Sequence, residues 1–326
     1  MITDRLDISP EVSAALAEGR PVVALESTLI SHGLPYPENL AVARGSEAAV
    51  RATGAIPATV AIHAGRLLVG LDDAAIEALA IAPPGTVRKA ARPSLAAAIA
   101  DGGWAATTVS ATMIAAHAAG IRVFATGGIG GVHRGALGGQ PQDVGGHPVR
   151  GTQVAALPTF DISSDLEELG RTAMAVVCAG PKAILDVPAT LEYLETRGVP
   201  VVAVGQSDMP GFFARSAGLP APASVTDIAA AATVVATHLE LGLGGAILVC
   251  VPVPEADALP RDLARQAVEG AVADAASAGI GGPALTPWLL SRIAVLTNGA
   301  SVRANTALIL NDARAAGELA RRLTGG

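Results

Sequence analysis

The chain has 326 residues, is 51% hydrophobic but only 2% aromatic, and carries a formal net charge of −7. Its lysines and arginines are scattered, which argues against a nucleic-acid groove, since such a groove needs a basic stripe. The N-terminus is unlike a signal peptide, and no uncharged apolar run reaches the ~18 residues of a membrane span. Cys178 and Cys250 each lie in an apolar run, which predicts reduced, buried thiols in a cytoplasmic protein.

In the first part of the chain, capping and turn residues separate short apolar runs. Ser9 and Pro10 predict a helix start, and Gly19 predicts its end. Pro35 and Pro37 predict a loop that includes residues 31–33. The other predicted elements are a strand at 21–25, a helix at 38–53, a hairpin of 58–62 and 67–71, a helix from Asp72, a strand at 105–109 and a helix at 110–119.

In the second part, the apolar run 121–125 predicts a buried strand that leads into four glycines. Residues 137–158 are rich in glycine and proline and predict a long loop, of a kind that is usually functional or mobile. Helices are predicted at 161–169, 182–197, 261–278 and 301–322, and strands at 174–179, 199–204 and 246–251. This alternation indicates parallel strand pairing, and with no repeat or linker the chain 1–326 is interpreted as one α/β domain.

The glycine-rich turn after the run 121–125 is the densest chemical signal in the sequence. A strand that ends in glycines, here followed by His133 and Arg134, is typical of a site at the carboxyl edge of an α/β sheet. A dinucleotide fingerprint would require glycine in place of His133 and a helix after it, and the sequence has neither. A plain tight turn is the structural alternative.

Glu26 and Lys182 are candidates for acid and nucleophile. Glu26 follows an apolar strand, where partial desolvation would raise its pKa and keep a proton for general acid catalysis. Its alternative is a carboxylate bonded to nearby backbone. Lys182 follows Pro181 at a predicted helix start, where a cation is disfavoured, so the neutral amine of a Schiff-base nucleophile is favoured. Its alternative is an amine that extends into solvent.

The stretch 160–167 combines a helix start with a spare carboxylate. Ser164 and Glu167 fit a capping box, and Asp165 complements the helix dipole. Asp161 precedes the cap and is free to bind a hard divalent cation, largely through waters. The free amides of this helix start also suit a phosphate.

Several other polar or aromatic side chains have both a functional and a structural interpretation. A cationic trio either holds an anion or forms a solvated face: Arg88, Lys89 and Arg92. A predicted strand-to-helix turn is rich in hydroxyls: Thr107, Thr108, Ser110 and Thr112. Phe212 and Phe213 either close over a flat ring or anchor their loop. Asn305 shares a predicted helix face with Val302 and Ile309, and presents either an inward amide or a satisfied core group.

Four stretches in order, 24–33, 123–135, 160–165 and 178–182, resemble the motifs of the pseudouridine-5′-phosphate glycosidase family, in the indigoidine synthase A-like group. The similarity runs from Ile8 to about Ala320. It implies an α/β/α sandwich around a mixed, largely parallel sheet, a homotrimer, and a divalent metal, typically Mn²⁺. The implied reaction is reversible cleavage of the C–C bond that joins uracil to ribose 5-phosphate. No nucleic-acid or membrane partner is implied.

The resemblance also implies roles for individual residues. Lys182 matches the covalent nucleophile, Glu26 the proton donor and Asp161 the metal-binding aspartate. Substrate contacts match Lys89, Val109, Ser163, Ser164 and Asp165. Four residues fall at matching positions near the site: Thr108, Thr126, His133 and Asn305. An amine that attacks the anomeric carbon opens the sugar and leaves an iminium that accepts electrons, while uracil takes a proton at its ring carbon.

Two departures from the family pattern bear on the site. Residues 137–158 insert about twenty residues before the Asp161 motif. Val251 stands where relatives commonly have asparagine, so any polar contact made there is absent. Two alternatives remain open: a related lyase that acts on another C-nucleoside or sugar phosphate, and a non-catalytic regulator that binds sugar phosphates.

Overall fold

The computed structural model describes residues 1–138, 157–282 and 285–325. Most of the predicted loop 137–158 lies outside the described residues. The strands of the N-terminal part are β1 (Leu6–Ile8), β2 (Val22–Leu25), β3 (Ile56–His63), β4 (Arg66–Val69), β5 (Arg88–Ala90), β6 (Ala105–Thr107), β7 (Val123–Ala125) and β8 (Val132–His133). Its helices are α1 (Pro10–Ala17), α2 (Thr28–His32), α3 (Glu38–Ala52), α4 (Asp73–Ile81), α5 (Leu95–Asp101) and α6 (Val109–Ala118).

The C-terminal part continues the alternation of strands and helices. Its strands are β9 (Ala175–Cys178), β10 (Leu185–Asp186), β11 (Val201–Val204), β12 (Ala223–Val225) and β13 (Ile247–Cys250). Its helices are α7 (Ser164–Leu169), α8 (Val187–Thr196), α9 (Ile228–Glu240), α10 (Arg261–Ser277), α11 (Leu285–Leu296) and α12 (Ala300–Thr324). Short 3-10 turns cover Ile2–Arg5, Arg92–Ser94 and Glu255–Asp257.

Eleven of these strands form one mixed sheet. Its main path is β1-β4-β3-β2-β7-β9-β13-β11-β12, with β6 beside β3 and β5 beside β6. Every pair from β3 through β2, β7, β9, β13 and β11 to β12 is parallel, whereas β3 pairs antiparallel with β4 and with β6. Strands β8 and β10 form a separate antiparallel pair. The predicted α/β class with a largely parallel sheet is confirmed.

Helices cover both faces of the sheet because its central strands are apolar on both sides. In β7, Phe124 belongs to the core under α1, α6 and α8, while Val123 and Ala125 belong to the core under α3, α9 and α12. Continuous apolar strands of this kind are what a parallel sheet needs when both faces are covered. Among the described residues, no single helix is long and apolar enough to cross a membrane; only α11 and α12 together, bent by 120°, pass by length and composition.

The predicted strands and most of the predicted helices are confirmed, and the capping residues explain where the helices begin. Ser9 accepts the Val12 N–H at 3.3 Å at the start of α1. Asp72 accepts the Ala75 N–H at 2.8 Å at the start of α4. Each bond satisfies a donor that has no acceptor within its own helix.

Three local predictions are wrong. Of residues 31–33, which are predicted to lie in a loop, Ser31 and His32 belong to helix α2, because Ile30 is buried and its N–H donates to the Ser27 carbonyl at 2.9 Å. The helix predicted from Lys182 begins only at Val187, capped by Asp186. The cap of α7 is Ser163, which accepts the Asp165 N–H at 3.3 Å, so Ser164 is the first helical residue.

Candidate active site

The site is assembled at the carboxyl edge of three adjacent parallel strands, β2, β7 and β9. Glu26 follows β2 directly and Thr126 follows β7 directly, so the two residues lie side by side. The Thr126 N–H donates to the Val177 carbonyl of β9 at 3.0 Å, which joins the third strand to the pair. This edge is where ligands bind in open parallel sheets.

Glu26 is a buried acid with a charged neighbour. Its side chain is 8% exposed, and the Thr126 hydroxyl donates to its Oε1. Burial raises the pKa of Glu26, and the positive charge of Lys182 is the largest influence in the opposite direction. The predicted desolvation of Glu26 is therefore found. Its hydrogen-bond partner among the described residues is the Thr126 side chain and not nearby backbone, while Lys182 acts on it through its charge.

Lys182 is positioned by backbone pairing and not by a helix start. The segment after β9 runs beside the glycine-rich loop: the Ile129 N–H donates to the Gly180 carbonyl at 3.2 Å, and the Lys182 N–H donates to the Ile129 carbonyl at 3.1 Å. The Lys182 side chain is half-buried. The argument from a helix dipole at Lys182 is wrong, because α8 begins five residues later.

The four glycines of this loop are required for close packing. None of Gly127, Gly128, Gly130 and Gly131 has a positive φ. A Cβ at Gly128 would lie 2.6 Å from a ring carbon of Phe212, and one at Gly131 would lie 2.5 Å from the Thr190 hydroxyl. The loop is thus neither a nucleotide fingerprint nor a simple tight turn.

Asp165 locks the loop to the start of α6. Its Oδ1 accepts the Ser110 N–H at 3.1 Å and its Oδ2 accepts the Gly130 N–H at 3.0 Å. The residue is 5% exposed, so both carboxylate oxygens already have backbone partners in a buried position. The predicted capping box is wrong, because the Glu167 carboxylate instead accepts from Tyr193 and Arg197.

The cationic trio is divided between structural and site roles. Arg88 lies 3.6 Å from Asp101, and Arg92 pairs with the buried carboxylate of Glu168. Lys89 is solvent-accessible, yet the protein packed around it lowers its pKa, and the charge of Lys182 acts in the same direction. The negative charge of Glu26 opposes this shift. Lys89 therefore belongs with Glu26 and Lys182, which leaves one cation of the trio at the site.

The hydroxyl-rich turn divides in the same way. Thr107 and Thr112 are fully buried: the Thr107 hydroxyl donates to the Val60 carbonyl at 2.8 Å, and the Thr112 hydroxyl donates to Thr107 at 2.8 Å. The Thr108 and Ser110 hydroxyls lie 3.2 Å apart at the start of α6. Thr107 and Thr112 are thus part of the core, and Thr108 lies toward the site.

Val109 and Ser164 complete this side of the site. The Val109 side chain is 1% exposed, so only its backbone N–H, which has no acceptor within its own helix at this position, is suited to a ligand. The Ser164 hydroxyl lies 3.4 Å from that of Ser110. The starts of α6 and α7 therefore face one another across Asp165.

His133 and Asp161 are neighbours on the other side of the loop. The His133 N–H donates to the Asp161 carbonyl at 3.0 Å. Burial lowers the pKa of His133, and the Asp161 carboxylate acts against this shift. Within 1–138, 157–282 and 285–325, no group of three His, Cys, Asp or Glu side chains is placed to hold a metal ion. One carboxylate does suit a hydrated divalent ion that keeps most of its waters.

The remaining predicted residues lie near the edge of the site or behind it. Asn305 is half-buried on α12, one turn before Ile309, which packs on Gly127. Phe212 and Phe213 are each 2% exposed and lie in a core cluster with α10, α11 and α12, so they anchor their loop. Val251 is 8% exposed, and its N–H donates to the Cys178 carbonyl at 2.8 Å.

Asp312 is a residue that the sequence reasoning did not select. It lies on α12, is 1% exposed, and neither carboxylate oxygen has a hydrogen-bond partner among the described residues. Burial raises its pKa well above the ordinary value. The signal was available, since Asp312 interrupts the apolar stripe of Leu308, Ile309 and Ala316 at helical spacing.

Comparison with known proteins shows the family of this chain. The model of the family described as indigoidine synthase A-like protein matches residues 11–322. The chain belongs to the indigoidine synthase A-like family. A relative from Solibacter usitatus, named pseudouridine-5′-phosphate glycosidase, is 52% identical and covers 98% of this chain and 99% of its own. One from Paracoccus denitrificans with the same name is 51% identical and covers 96% of each chain.

A solved structure extends the comparison to the fold. The prealnumycin C-glycosynthase AlnA, crystallised in complex with ribulose 5-phosphate, is 38% identical to this indigoidine synthase A-like chain. It superposes with a TM-score of 0.84 and covers 98% of this chain and 97% of its own. The family likeness therefore spans the whole site and not one motif.

Proposed function

We propose that this protein is a pseudouridine-5′-phosphate glycosidase, which reversibly cleaves the C–C bond between uracil and ribose 5-phosphate. The observation that carries the proposal is a buried carboxyl group, Glu26, at the sheet edge where the backbone of Lys182 is bonded to the glycine-rich loop, with the charges of Lys182 and Lys89 both acting on that carboxyl group. Relatives with that name are about half identical to this chain over nearly its full length.

The chemistry requires an amine, since a C–C glycosidic bond gives ordinary acid catalysis no heteroatom to protonate. The Lys182 nitrogen bonds to C1′ as the C1′–O4′ bond of the ribose ring breaks, and the proton that the nitrogen gives up passes to O4′, which leaves a neutral amine with a lone pair. Glu26 delivers its proton to the uracil carbon. The C1′–C5 bond then breaks: its electrons stay with uracil, and the nitrogen lone pair forms a C=N iminium. Water hydrolyses this iminium and releases ribose 5-phosphate.

The environment of Glu26 suits its part in this scheme. An acid must hold its proton near neutral pH, and burial favours the protonated form of Glu26. General acid catalysis supplies about 10²–10⁴-fold in rate. Covalent attack by Lys182 then accounts for much of the remaining acceleration.

The substrate-binding roles follow the two helix starts. One cation and several hydrogen-bond donors lie around the Asp165 carboxylate, and such a set suits an anionic sugar phosphate. These groups are Lys89, Thr108, the Val109 N–H, Ser163 and Ser164. Thr126 holds the Glu26 carboxyl group. His133 follows the loop, and Asn305 lies on α12 one turn before Ile309, which packs on Gly127. Asp165 itself acts on the shape of the site, since both of its oxygens already accept from backbone amides.

A divalent metal, manganese by family type, belongs to the proposal as well. Asp161 would hold it, with His133 beside it, and the ion would supply positive charge for the phosphate or the uracil oxygens.

The chain is further proposed to assemble as a homotrimer in the cytoplasm. Its two cysteines are buried and free, in keeping with a reducing compartment.

The direct test is release of uracil from pseudouridine 5′-phosphate by the purified protein. Turnover by wild type and its loss in Lys182→Ala support the proposal. A related lyase would leave this substrate intact and cleave another C-nucleoside or sugar phosphate in a panel. A regulator would bind the substrate with ordinary affinity and release no product.

A further inference from the structure

Phe212 holds a backbone conformation that bulky residues rarely adopt. Its φ is +62°, in the left-handed region, where an aromatic residue is an outlier. Such strain persists only when the surrounding structure over-determines it, and it concentrates at functional sites. Phe212 is not itself one of the proposed reacting groups, so its strain needs another explanation.

The Phe212 ring is pressed against the glycine-rich loop. It is 2% exposed and meets Phe213 edge-on, with ring centroids 4.8 Å apart. A Cβ on Gly128 would lie 2.6 Å and 2.9 Å from two carbons of this ring and 3.0 Å from the Gly180 carbonyl oxygen. Gly128 is thus held between the Phe212 ring and Gly180, with no room for a side chain.

Two backbone hydrogen bonds lead from this contact to Lys182. The Gly180 carbonyl accepts the Ile129 N–H at 3.2 Å, and the Ile129 carbonyl accepts the Lys182 N–H at 3.1 Å. The loop that carries Phe212 also packs against Gly180, since a Cβ on Gly180 would lie 3.4 Å from the Pro210 carbonyl oxygen. The position of the Phe212 ring is therefore linked to that of the Lys182 backbone through a short series of packed and hydrogen-bonded residues.

The loop that carries Phe212 is itself closed by backbone bonds. The Met209 N–H donates to the Leu219 carbonyl at 3.0 Å, and the Ala217 N–H donates to the Met209 carbonyl at 2.8 Å. The Gly211 N–H donates to the Ala214 carbonyl at 3.0 Å across the turn that contains Phe212. A loop tied in this way can hold a strained residue in place.

We propose that Phe212 is a positioning residue: its ring, held by a strained turn, presses on Gly128 and fixes the backbone pairing that places Lys182. The role of Lys182 rests on the proposed function, whereas the effect of Phe212 on the loop does not. Misplacing a reacting group by about 1 Å can cost on the order of 10²-fold in rate.

Phe213 provides a matched control, because it is adjacent and equally buried, and its atoms are not among the three nearest to a Cβ at Gly128. Phe212→Leu is expected to speed hydrogen exchange at the Ile129 and Lys182 amides and to lower kcat about tenfold or more, with KM within about twofold. Phe213→Leu is expected to leave both readouts near wild type. Equal exchange and equal kcat in the two variants would overturn the proposal.

A double-mutant cycle tests the contact itself. Gly128→Ala should lower kcat, because its Cβ displaces the loop, and adding Phe212→Ala should restore part of the loss by removing the ring from that space. If the losses of kcat in the two single variants simply add in the double variant, the proposed contact between the Phe212 ring and Gly128 is contradicted. If wild type released no uracil, the proposed function would fail, and the exchange comparison together with the same cycle measured by unfolding would still decide the role of Phe212.

Discussion

Thr126 donates its hydroxyl hydrogen to a carboxylate oxygen of Glu26, across the ends of two paired parallel strands. Both residues are buried, with 3% and 8% of their surface exposed. The bond lowers the pKa of Glu26, against the larger effect of burial. Burial, the opposing charge of Lys182 and this hydrogen bond together therefore set the pH at which Glu26 loses its proton.

Replacing Thr126 with Val keeps the shape of the side chain and removes this donor. The pKa of Glu26 should rise, because its charged form loses a hydrogen bond. Cleavage uses the protonated form, so activity falls as pH rises through this pKa, and in Thr126→Val the fall should move to higher pH. The measurement is kcat/KM against pH.

Thr112→Val is the matched control. Thr112 is buried beneath the same edge, but its hydroxyl donates to Thr107 and not to Glu26. It should lose stability, about 1 kcal/mol for one hydrogen bond, with no movement of the pH profile. If the fall of kcat/KM at high pH stays at the same pH in Thr126→Val, or moves to lower pH, the role given to the bond between Thr126 and Glu26 is refuted.

A side chain at Gly130 should damage both stability and activity. A Cβ on Gly130 would clash with the Ser163 hydroxyl and lie 2.7 Å from Asp165 Oδ2, where Asp165 of α7 accepts a hydrogen bond from the glycine-rich loop. Gly130→Ala is expected to lower the free energy of unfolding by about 1–3 kcal/mol, as overpacking does. Chemical denaturation measures the loss.

Gly103→Ala serves as the comparison for Gly130→Ala. Its Cβ would meet only the Asp101 carboxylate, at 3.5 Å, which is ordinary contact, and its φ is not positive. The change should stay within about 0.5 kcal/mol. Equal stability of the two variants would mean that the loop has more room than its packing indicates.

The buried Asp312 should make stability depend on pH. The folded chain keeps its proton above pH 3.8, where the unfolded chain loses it, because burial raises the folded-state pKa. The folded state then binds more protons, so the free energy of unfolding should fall as pH rises above about 4. Asp312→Asn should remove this slope and be the more stable protein at pH 8.

Unfolding of wild type and Asp312→Asn at pH 5 and pH 8 gives this slope directly. The difference in free energy between the two proteins should grow in favour of the variant as pH rises. A constant difference would show that Asp312 does not keep its proton in the folded chain.

Removal of the metal should lower activity if Asp161 holds a divalent ion. Treatment with a chelator is expected to reduce uracil release, and Mn²⁺ to restore it. Asp161→Asn should bind Mn²⁺ more weakly in a direct titration, whereas Asp165→Asn should lose stability, since Asp165 accepts two backbone N–H groups. Unchanged Mn²⁺ affinity in Asp161→Asn would remove Asp161 from the metal site.

The parallel core of the fold could be predicted from the sequence because its strands are short apolar runs that end in glycine or polar residues. The run 121–125 and the apolar strand before Glu26 correctly located two neighbouring strands. Helices α9 and α11 were not predicted, since α9 mixes alanine with β-branched residues, which also favour strands, and α11 contains Pro287 near its start. Short elements such as β10 depend on pairing with a distant strand, which local sequence does not contain.

The candidate site residues could be proposed from the sequence, but the hydrogen bonds that hold them in place could not. Glu26 and Lys182 were singled out from strand ends, yet the support of Lys182 is a backbone bond to Ile129, some fifty residues earlier in the chain. Asp165 was taken for a ligand of substrate, and its carboxylate proves to hold two backbone amides. Such long-range hydrogen bonds leave no periodic or capping signal in the sequence.

The central claim is that the Lys182 amine bonds covalently to the sugar. Wild type should be incubated with ribose 5-phosphate and uracil, reduced with borohydride, digested, and analysed by mass spectrometry. The account predicts a reduced sugar-phosphate adduct on Lys182 that is missing in Lys182→Ala and still forms in Glu26→Gln, where the amine is intact. An active enzyme that yields no adduct, or one that carries it on Lys89, would contradict the account.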